Sequence, residues 1–441
     1  MKKHLTIWQW LLLGGTLFSM HFGSSCLLYP VTWGKEAGRA VGWVYAGIFL
    51  SGVLLPFLGY LALARGKGDF LELVIRAVPR GGRCFVLTTI LLLGPVYVVP
   101  RMTAAAWEAL AELLGEQCTD GAWTLVFHAF FYPAMFWFAA NKAKIAKRVG
   151  GILFPILLCI VTGVIGKGLL APVPARRPPP EFIGNPFLHG VCEGYATGDL
   201  PCALIFGLVV LQSIRQAGIS SERMHRSLLC VSALGLGLLA LAHLGHMLVG
   251  ANLGESIQLT LAALYTRMVL LEWGQAGGML FAVVLTAATL TCGIGCLSST
   301  AQIGARLVEE RASYRAVCGA FCAAACIISC TGLNGIVTFV GPILSAFYPP
   351  TIALALYYAL MPPENQRKGL LGLRLVLSET VGFGILELIH VYLGLFQVKV
   401  PAFNAFYARI PLAEQGFAWL PLAVLLFGVT WFWQKKTAAS I

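Results

Sequence analysis

The sequence predicts an all-α polytopic membrane protein with about twelve transmembrane helices, arranged as two inverted five-helix repeats followed by two further helices. Three observations predict this fold class. Apolar residues make up 58% of the 441-residue chain, apolar runs near 20 residues recur along it, and glycine and small polar residues interrupt two of those runs. Charged residues make up only 11% of the chain, whereas a soluble domain carries about 25%. A soluble globular protein is therefore excluded.

The apolar runs locate twelve spans, because a helix needs about 20 apolar residues to cross the hydrocarbon core of a bilayer. The third, tenth and eleventh spans are the least clearly bounded. The predicted spans lie near residues 7–33, 40–64, 83–110, 121–140, 149–171, 187–214, 226–250, 277–305, 312–331, 334–361, 371–394 and 414–434.

The net charge of +12 is explained by orientation in the membrane. With loops assigned to alternate sides, most of the 31 Lys and Arg residues share a side with the N-terminus. Membrane proteins concentrate positive charge in their cytoplasmic loops. We therefore expect cytoplasmic N- and C-termini and the lipid bilayer as a partner, with no nucleic-acid binding.

Two spans are interrupted near mid-depth. Residues 23–26 (Gly-Ser-Ser-Cys) interrupt the first span, and residues 193–199 (Glu-Gly-Tyr-Ala-Thr-Gly-Asp) interrupt the sixth. Within a bilayer, irregular backbone is tolerated only where it is buried in protein or lines a cavity. Broken helices at corresponding positions in two halves of a chain indicate the binding site of a secondary transporter. The alternative is a pair of kinked helices that pack against their neighbours.

The positions of the breaks predict the organisation of a single transmembrane domain. Residues 1–171 form the first five-helix repeat, residues 187–361 the second, and residues 371–434 two appended helices. Because five is odd, the second repeat has inverted topology. The proline-rich interval 172–186 is predicted to be an external linker, and the polar segment 251–276 an external element able to act as a lid.

Ionisable residues inside spans are candidates for function. Glu193 and Asp199 flank the second break, where each is able to orient the unwound segment, bind a substrate amine or carry a proton. Arg101 and Glu108 lie two turns apart in the third span, and a structural ion pair explains them as well as contact with substrate does. A structural role is favoured for three residues of the eleventh span, Glu379, Glu387 and His390.

Other functions are weakly supported by the sequence. There is no nucleotide-binding loop of the Gly-x4-Gly-Lys-Ser/Thr type, which argues against ATP-driven transport by this chain alone. The nearest candidate for an enzyme site is His243-x-x-His246, which has no neighbouring carboxylate. For the cysteines spaced four apart in the ninth span, helix packing is favoured over a metal site; these are Cys318, Cys322, Cys326 and Cys330.

The chain resembles the bacterial branched-chain amino-acid carriers, the leucine-isoleucine-valine:cation symporter (LIVCS) family of the amino acid-polyamine-cation superfamily. The resemblance covers almost the full length. It rests on motifs in the family's order: Phe22-Gly23 with Leu27-Leu28-Tyr29-Pro30, Gly94-Pro95-x4-Pro100-Arg101-x-Thr103-Ala104, residues 190–199 with Phe206-Gly207, residues 290–295, Val340-Gly341-Pro342 to Tyr348-Pro349, and residues 411–416 with Trp419.

The resemblance implies a LeuT-like fold and sodium-coupled uptake of Leu, Ile and Val across the bacterial inner membrane. The substrate would lie between the breaks of spans one and six, and a sodium ion between the first break and the eighth span. The expected substrate-binding residues are Phe22, Gly23, Ser24, Ser25, Cys26, Tyr97, Tyr195, Thr197, Gly198, Asp199 and Phe206. The expected ion-binding residues are Phe18, His21, Ala288, Thr291 and Cys292.

Two departures from the family pattern bear on the coupling ion. The family usually has Gly-Ala-Gly-Asn at the first break, where this chain has Gly-Ser-Ser-Cys, and Cys292 replaces the second hydroxyl expected in the eighth span. Sodium prefers oxygen ligands, which leaves proton coupling through Asp199 or Glu193 as the alternative.

The sequence thus predicts a cation-coupled secondary transporter, not an enzyme, for branched-chain and other apolar amino acids, with Met as a further substrate. No cofactor is expected beyond Na⁺ or H⁺, and no metal beyond the sodium site. The alternatives are a passive amino-acid permease or channel and a carrier for another small amino acid. The sequence makes no prediction of oligomeric state.

Overall fold

The helices follow the apolar runs of the sequence. The computed structural model describes residues 5–115, 121–141, 144–170, 182–253, 261–309, 311–363, 365–366 and 369–439. The first half contains α1 (Ile7–His21), α2 (Ser24–Ala37), α3 (Val41–Ile48), α4 (Leu55–Gly66), α5 (Phe70–Ala77), α6 (Gly82–Leu91), α7 (Val98–Leu114), α8 (Gly121–Ala139), α9 (Ile145–Arg148) and α10 (Phe154–Leu170).

The second half contains longer helices. These are α11 (Pro186–Ala196), α12 (Asp199–Gln216), α13 (Ser221–Ala251), α14 (Leu261–Leu307), α15 (Tyr314–Ser329), α16 (Leu333–Leu360), α17 (Leu370–Leu395), α18 (Pro401–Tyr407) and α19 (Leu420–Ala439). Short π-helical stretches occur at Phe49–Leu54, Leu92–Val96 and Val149–Leu153, and 3₁₀ turns at Gly38–Ala40 and Ala413–Gln415.

The fold is that of a polytopic membrane protein, as the sequence predicts. Over the described ranges, nine helical stretches are long and apolar enough to span a membrane. One of them, Ser24–Gly66, is 43 residues long and covers parts of the first and second predicted spans. The division into two five-helix repeats and two appended helices stays a prediction.

The first and sixth spans are broken, but each break is shorter than the sequence suggests. In the first span only Phe22 and Gly23 leave the helical conformation, and α2 resumes at Ser24 because Gly23 is extended (φ −92°, ψ −174°) and serves as the N-cap. In the sixth span α11 continues to Ala196, and Gly198 turns the chain with φ +75°. Glycine adopts this left-handed conformation without a steric penalty.

The third span has a discontinuity close to the two breaks. Gly94 has non-helical dihedral angles (φ −99°, ψ −107°) within the π-helical stretch before α7, and Pro95 follows it. Tyr97 precedes the first residue of α7 with φ −131° and ψ −66°. Proline removes a backbone donor and clashes with the preceding turn, which explains the kink at this position.

The segment 251–276 is more helical than a polar external loop would be. The described part of it becomes helical at Leu261, and α14 continues through a sharp turn at Gly274 (φ +59°) into the eighth span. Most of the proline-rich interval, residues 172–181, lies outside the described residues.

Glycines bring the two broken spans into backbone contact with neighbouring helices. A Cβ atom at Gly190 of α11 would lie 2.0 Å from the carbonyl oxygen of Val44 in α3, and one at Gly34 of α2 would lie 2.0 Å from that of Met247 in α13. Small residues allow helices in membranes to approach this closely. The contacts fix α2 and α11, the segments next to the breaks, against the rest of the bundle.

Candidate functional site

A cavity of about 370 Å³ lies between the two broken spans. This volume is in the range of small-molecule sites, which are concave and mostly apolar with a few polar groups. Its apolar wall includes Met20, Val98, Met102, Phe206 and Leu344. The polar and ionisable residues that line it are His21, Ser25, Cys26, Tyr29, Trp33, Tyr97, Arg101, Glu193, Thr197, Asp199, Cys202, His243, Cys292, Ser345 and Glu387.

A buried hydrogen-bonded chain joins the two breaks. Nδ1 of His21, the last residue of α1, lies 3.0 Å from Oδ1 of Asp199, the first residue of α12. Nε2 of the same ring lies 2.9 Å from the hydroxyl of Tyr60. The His21 side chain is fully buried and that of Asp199 is 8% exposed. Both ring nitrogens are engaged, so the imidazole orients the carboxylate between the two half-helices.

Asp199 has one carboxylate oxygen left over. Its Oδ2 is buried and has no hydrogen-bond partner among the described residues. Asp199 lines the cavity, and a buried acceptor without a partner is costly. An α-ammonium group that donates a hydrogen bond to the carboxylate, or a proton that binds to it, would reduce this cost.

Arg101 contributes the opposite charge to the cavity. It lies in the first turn of α7 and is 9% exposed. Its Nη1 donates to the Tyr97 hydroxyl at 3.2 Å, and its guanidinium carbon is 4.9 Å from the centroid of the Tyr97 ring. Within the described ranges, Nε has no partner and no carboxylate lies at ion-pair distance.

The first break contacts the eighth span, as the expected ion site requires. A Cβ atom at Gly23 would lie 3.3 Å from Sγ of Cys292. The carbonyl oxygens expected to bind the ion already accept hydrogen bonds within their own helices, that of Phe18 from Phe22 N at 2.7 Å and that of Ala288 from the Thr291 hydroxyl at 2.9 Å. The Phe18 oxygen retains a second lone pair for a cation. The Ala288 oxygen also accepts the helical hydrogen bond of α14, so a cation there would compete with the Thr291 hydroxyl.

The carbonyl oxygen of His21 is covered by two donors. The backbone N–H of Gly23 donates to it at 3.0 Å, and the Cys26 thiol at 3.2 Å. The thiol therefore donates a hydrogen bond to one of the oxygens that are expected to bind the ion. This is a specific consequence of cysteine at position 26.

The structure places the expected residues in two groups. Those that line the cavity are His21, Gly23, Ser25, Cys26, Tyr97, Thr197, Asp199, Phe206 and Cys292. Those that lie outside its lining are Phe18, Phe22, Ser24, Tyr195, Gly198, Ala288 and Thr291. Ser24 donates instead to the carbonyl oxygen of Met102 at 3.0 Å, and the Tyr195 ring packs edge-on against Tyr348 at 4.2 Å.

The cavity is also lined by Glu193, a candidate from the second break, and by residues that were not expected at the site. Glu193 accepts a hydrogen bond of 2.6 Å from the indole of Trp33, so it links α11 to α2. Glu387 of the eleventh span, which the sequence favours as structural, lines the cavity together with Leu388 and Val391. A charged residue inside a predicted span was the sequence signal that pointed to Glu387 and Arg101. That signal does not reveal which side chains line a common cavity.

Ion pairs hold the end of α14 against α5 and α6. Arg306, near the end of α14, contacts Asp69 at the start of α5, and its Nη2 lies 3.4 Å from Glu72. Arg83 of α6 pairs with Glu309, just after α14, at 3.2 Å. None of these residues lines the cavity, whose lining includes Trp33 of α2 and residues of α11, α16 and α17.

The helical membrane bundle has a cavity between two broken helices, and the cavity has apolar walls and a few charged side chains. This arrangement is typical of a transporter. Comparison with known proteins identifies which family of transporters. Residues 7–437 match the model of the family "Branched-chain amino acid transport protein". The chain belongs to this family.

Named relatives agree with the family assignment. The branched-chain amino acid permease BraB of Bacillus subtilis is 30% identical, with 80% of each chain covered. The branched-chain amino acid transport system 2 carrier protein of Pseudomonas aeruginosa is 28% identical, with 96% of this chain and 95% of the relative covered. These relatives are transporters, and the chain is a transporter rather than an enzyme.

Solved structures share the fold. Mhp1, a nucleobase-cation-symport-1 family transporter, in a closed conformation with bromovinylhydantoin bound, has a TM-score of 0.61 at 15% identity, covering 97% of this chain and 93% of its own. MhsT in complex with L-phenylalanine has a TM-score of 0.54 at 15% identity, covering 85% of this chain and 98% of its own. The predicted LeuT-like fold is confirmed.

Proposed function

We propose that this protein is a secondary active transporter that couples uptake of Leu, Ile and Val, with Met as a further substrate, to cation flow across the bacterial inner membrane. Both termini would be cytoplasmic. The observation that carries the proposal is the cavity between the two broken helices, in a chain whose family transports branched-chain amino acids. Asp199 and Arg101 give it two opposite charges, and its walls suit an aliphatic side chain.

The coupling ion is Na⁺ or H⁺. Sodium is the ion that the family resemblance implies, and it would bind between the first break and α14, at the carbonyl oxygens of Phe18, His21 and Ala288 and the side chains of Thr291 and Cys292. The thiol of Cys292 is a poor ligand for sodium, which prefers oxygen.

A specific observation supports the proton as the second candidate. The His21–Asp199 pair is buried at the junction of both breaks. Asp199 lines the cavity, and its Oδ2 is buried without a partner among the described residues. Buried carboxylate–histidine chains serve as proton relays in transporters. Proton uptake by this pair would change the charge of the site between the two half-helices.

Uptake by the purified protein in proteoliposomes tests the proposal. We expect labelled leucine to accumulate above its equilibrium level when a sodium or a proton gradient is imposed, and unlabelled Ile, Val and Met to compete. Downhill flux alone under both gradients would establish a passive permease. Competition by glycine or alanine, without competition by Ile and Val, would establish a carrier for another small amino acid.

A further inference from the structure

We propose that Arg101 binds the α-carboxylate of the amino-acid substrate. The inference rests on the proposed function, since it assigns a role within the same cavity. It goes beyond that function by naming a side-chain anchor in the third span, in addition to the free backbone N–H groups at the first break.

The first argument is the energetic cost of burying the Arg101 guanidinium group without an anion. Arg101 is 9% exposed, and no carboxylate in the described part of the chain is close enough to pair with it. A buried cation is costly unless an anion and hydrogen bonds compensate it. The contacts with Tyr97 supply one neutral hydrogen bond and a cation–π interaction, and Nε has no partner among the described residues. An anionic ligand would complete this environment.

The second argument is the position of Arg101 relative to the other charge. Arg101 and Asp199 line the same cavity without forming an ion pair with each other. The first turn of α2 bonds to a neighbour of each charge: Ser24 donates to the carbonyl oxygen of Met102, next to Arg101, at 3.0 Å, and the Cys26 thiol to that of His21, the partner of Asp199, at 3.2 Å. The two opposite charges therefore flank one region of the cavity. An amino acid carries one carboxylate and one ammonium group on the same carbon, which matches this arrangement.

The third argument is preorganisation. The kink at Gly94 precedes α7, whose first turn contains Arg101, and the backbone N–H of Arg101 donates to the Tyr97 carbonyl oxygen at 2.8 Å. Two residues further on, the Thr103 hydroxyl lies 2.7 Å from that of Tyr132 and 3.0 Å from that of Ser329. These bonds tie α7 to α8 and α15. A planar guanidinium held in this way is able to donate two parallel hydrogen bonds to a carboxylate.

The backbone N–H groups at the first break would contact the same carboxylate of the substrate. Gly23 caps α2 without a side-chain hydrogen bond to the helix N-terminus, and Ser25 lines the cavity. Free N–H groups at a helix N-terminus carry only a partial positive charge. The full charge of Arg101 is expected to make the larger contribution to the selection of a carboxylate over a neutral group.

The test compares ligands that differ only in the carboxylate. Binding of L-leucine and of L-leucinamide, in which a neutral amide replaces the carboxylate, is measured on the purified full-length protein. We expect Arg101→Gln to weaken leucine binding about 100-fold, as for the loss of one partner of a buried charge pair. Leucinamide binding should change less than about threefold, because the amide gains little from the guanidinium charge.

A matched control separates this role from stability. Arg148 lies over the Trp137 ring, 4.3 Å from its centroid, and donates to a backbone carbonyl oxygen, but it is not part of the cavity. Arg148→Gln should leave both affinities unchanged. Arg101→Lys, which keeps the charge but loses the planar fork, should weaken leucine binding about tenfold and leucinamide binding very little. It serves as the reporter if Arg101→Gln does not fold.

Two results would overturn the inference. One is unchanged leucine affinity in Arg101→Gln, and the other is an equal loss of leucine and leucinamide affinity in both Arg101 variants, which is the signature of a structural residue. Each would leave the proposed function intact. If the wild-type protein bound none of Leu, Ile and Val, the proposed function itself would fail and the role of Arg101 with it.

Discussion

Replacement of His21 by leucine should destabilise the protein strongly, because it separates Asp199 from its partner. His21→Leu removes the 3.0 Å contact with the carboxylate and the 2.9 Å contact with the Tyr60 hydroxyl. Leucine adds apolar contacts but leaves the carboxylate, 8% exposed, without the imidazole. Leaving a buried carboxylate without its hydrogen-bond partner costs about 3 kcal/mol or more.

A second histidine in the same bundle provides the control for this magnitude. His246 is also fully buried; its Nδ1 lies 2.8 Å from the Ala242 carbonyl oxygen and its Nε2 3.1 Å from the Tyr265 hydroxyl. It therefore resembles His21 except that its partners include no carboxylate. A neutral hydrogen bond contributes about 1 kcal/mol. His246→Leu should accordingly cost about 2 kcal/mol or less.

The measurement is the free energy of unfolding of each purified variant in the same detergent. Tyr60→Phe, which removes only the neutral hydrogen bond at Nε2, should cost about 1 kcal/mol. The expected order of cost is His21→Leu, then His246→Leu, then Tyr60→Phe. A His21→Leu protein as stable as His246→Leu would refute the view that His21 stabilises the buried carboxylate of Asp199.

Three further substitutions test the helix packing, the ion site and the ion pairs of Arg306. Gly47→Ala should destabilise the protein by about 3 kcal/mol, because its Cβ would lie 2.2 Å from the carbonyl oxygen of Phe187 in α11. Gly42→Ala in the same helix meets no described atom within 4 Å and should cost little. Equal melting temperatures of the two variants would contradict this packing. If sodium drives uptake, Cys292→Ser should lower the half-saturating sodium concentration severalfold, because it replaces a thiol with an oxygen ligand. Cys296→Ser, which lies outside the cavity lining, should not change it. Identical sodium dependence of the two variants would argue against the ion site. Arg306→Gln should speed leucine exchange across the proteoliposome membrane severalfold without changing leucine affinity, because it releases the ion pairs with α5. An unchanged exchange rate would show that these pairs do not limit the opening of the transporter on this side.

The architecture was predictable from local sequence, because apolar runs and interruptions act within one segment. A helix that crosses a bilayer needs about 20 apolar residues, and glycine with small polar groups inside such a run indicates a break. The limits of the breaks were less predictable. Residues 24–26 are helical because Gly23 alone provides the extended N-cap, and Glu193 is helical because the turn occurs at Thr197 and Gly198.

The sequence by itself determined the class of protein, the two broken spans and the family, since hydrophobicity and motif order are properties of the linear chain. The tertiary structure decided which charges meet. His21 and Asp199 are 178 positions apart and form a pair, whereas Arg101 faces the cavity with no carboxylate partner among the described residues. An intramembrane charge must find a partner or a ligand, and only the packing of distant helices determines which of the two it finds.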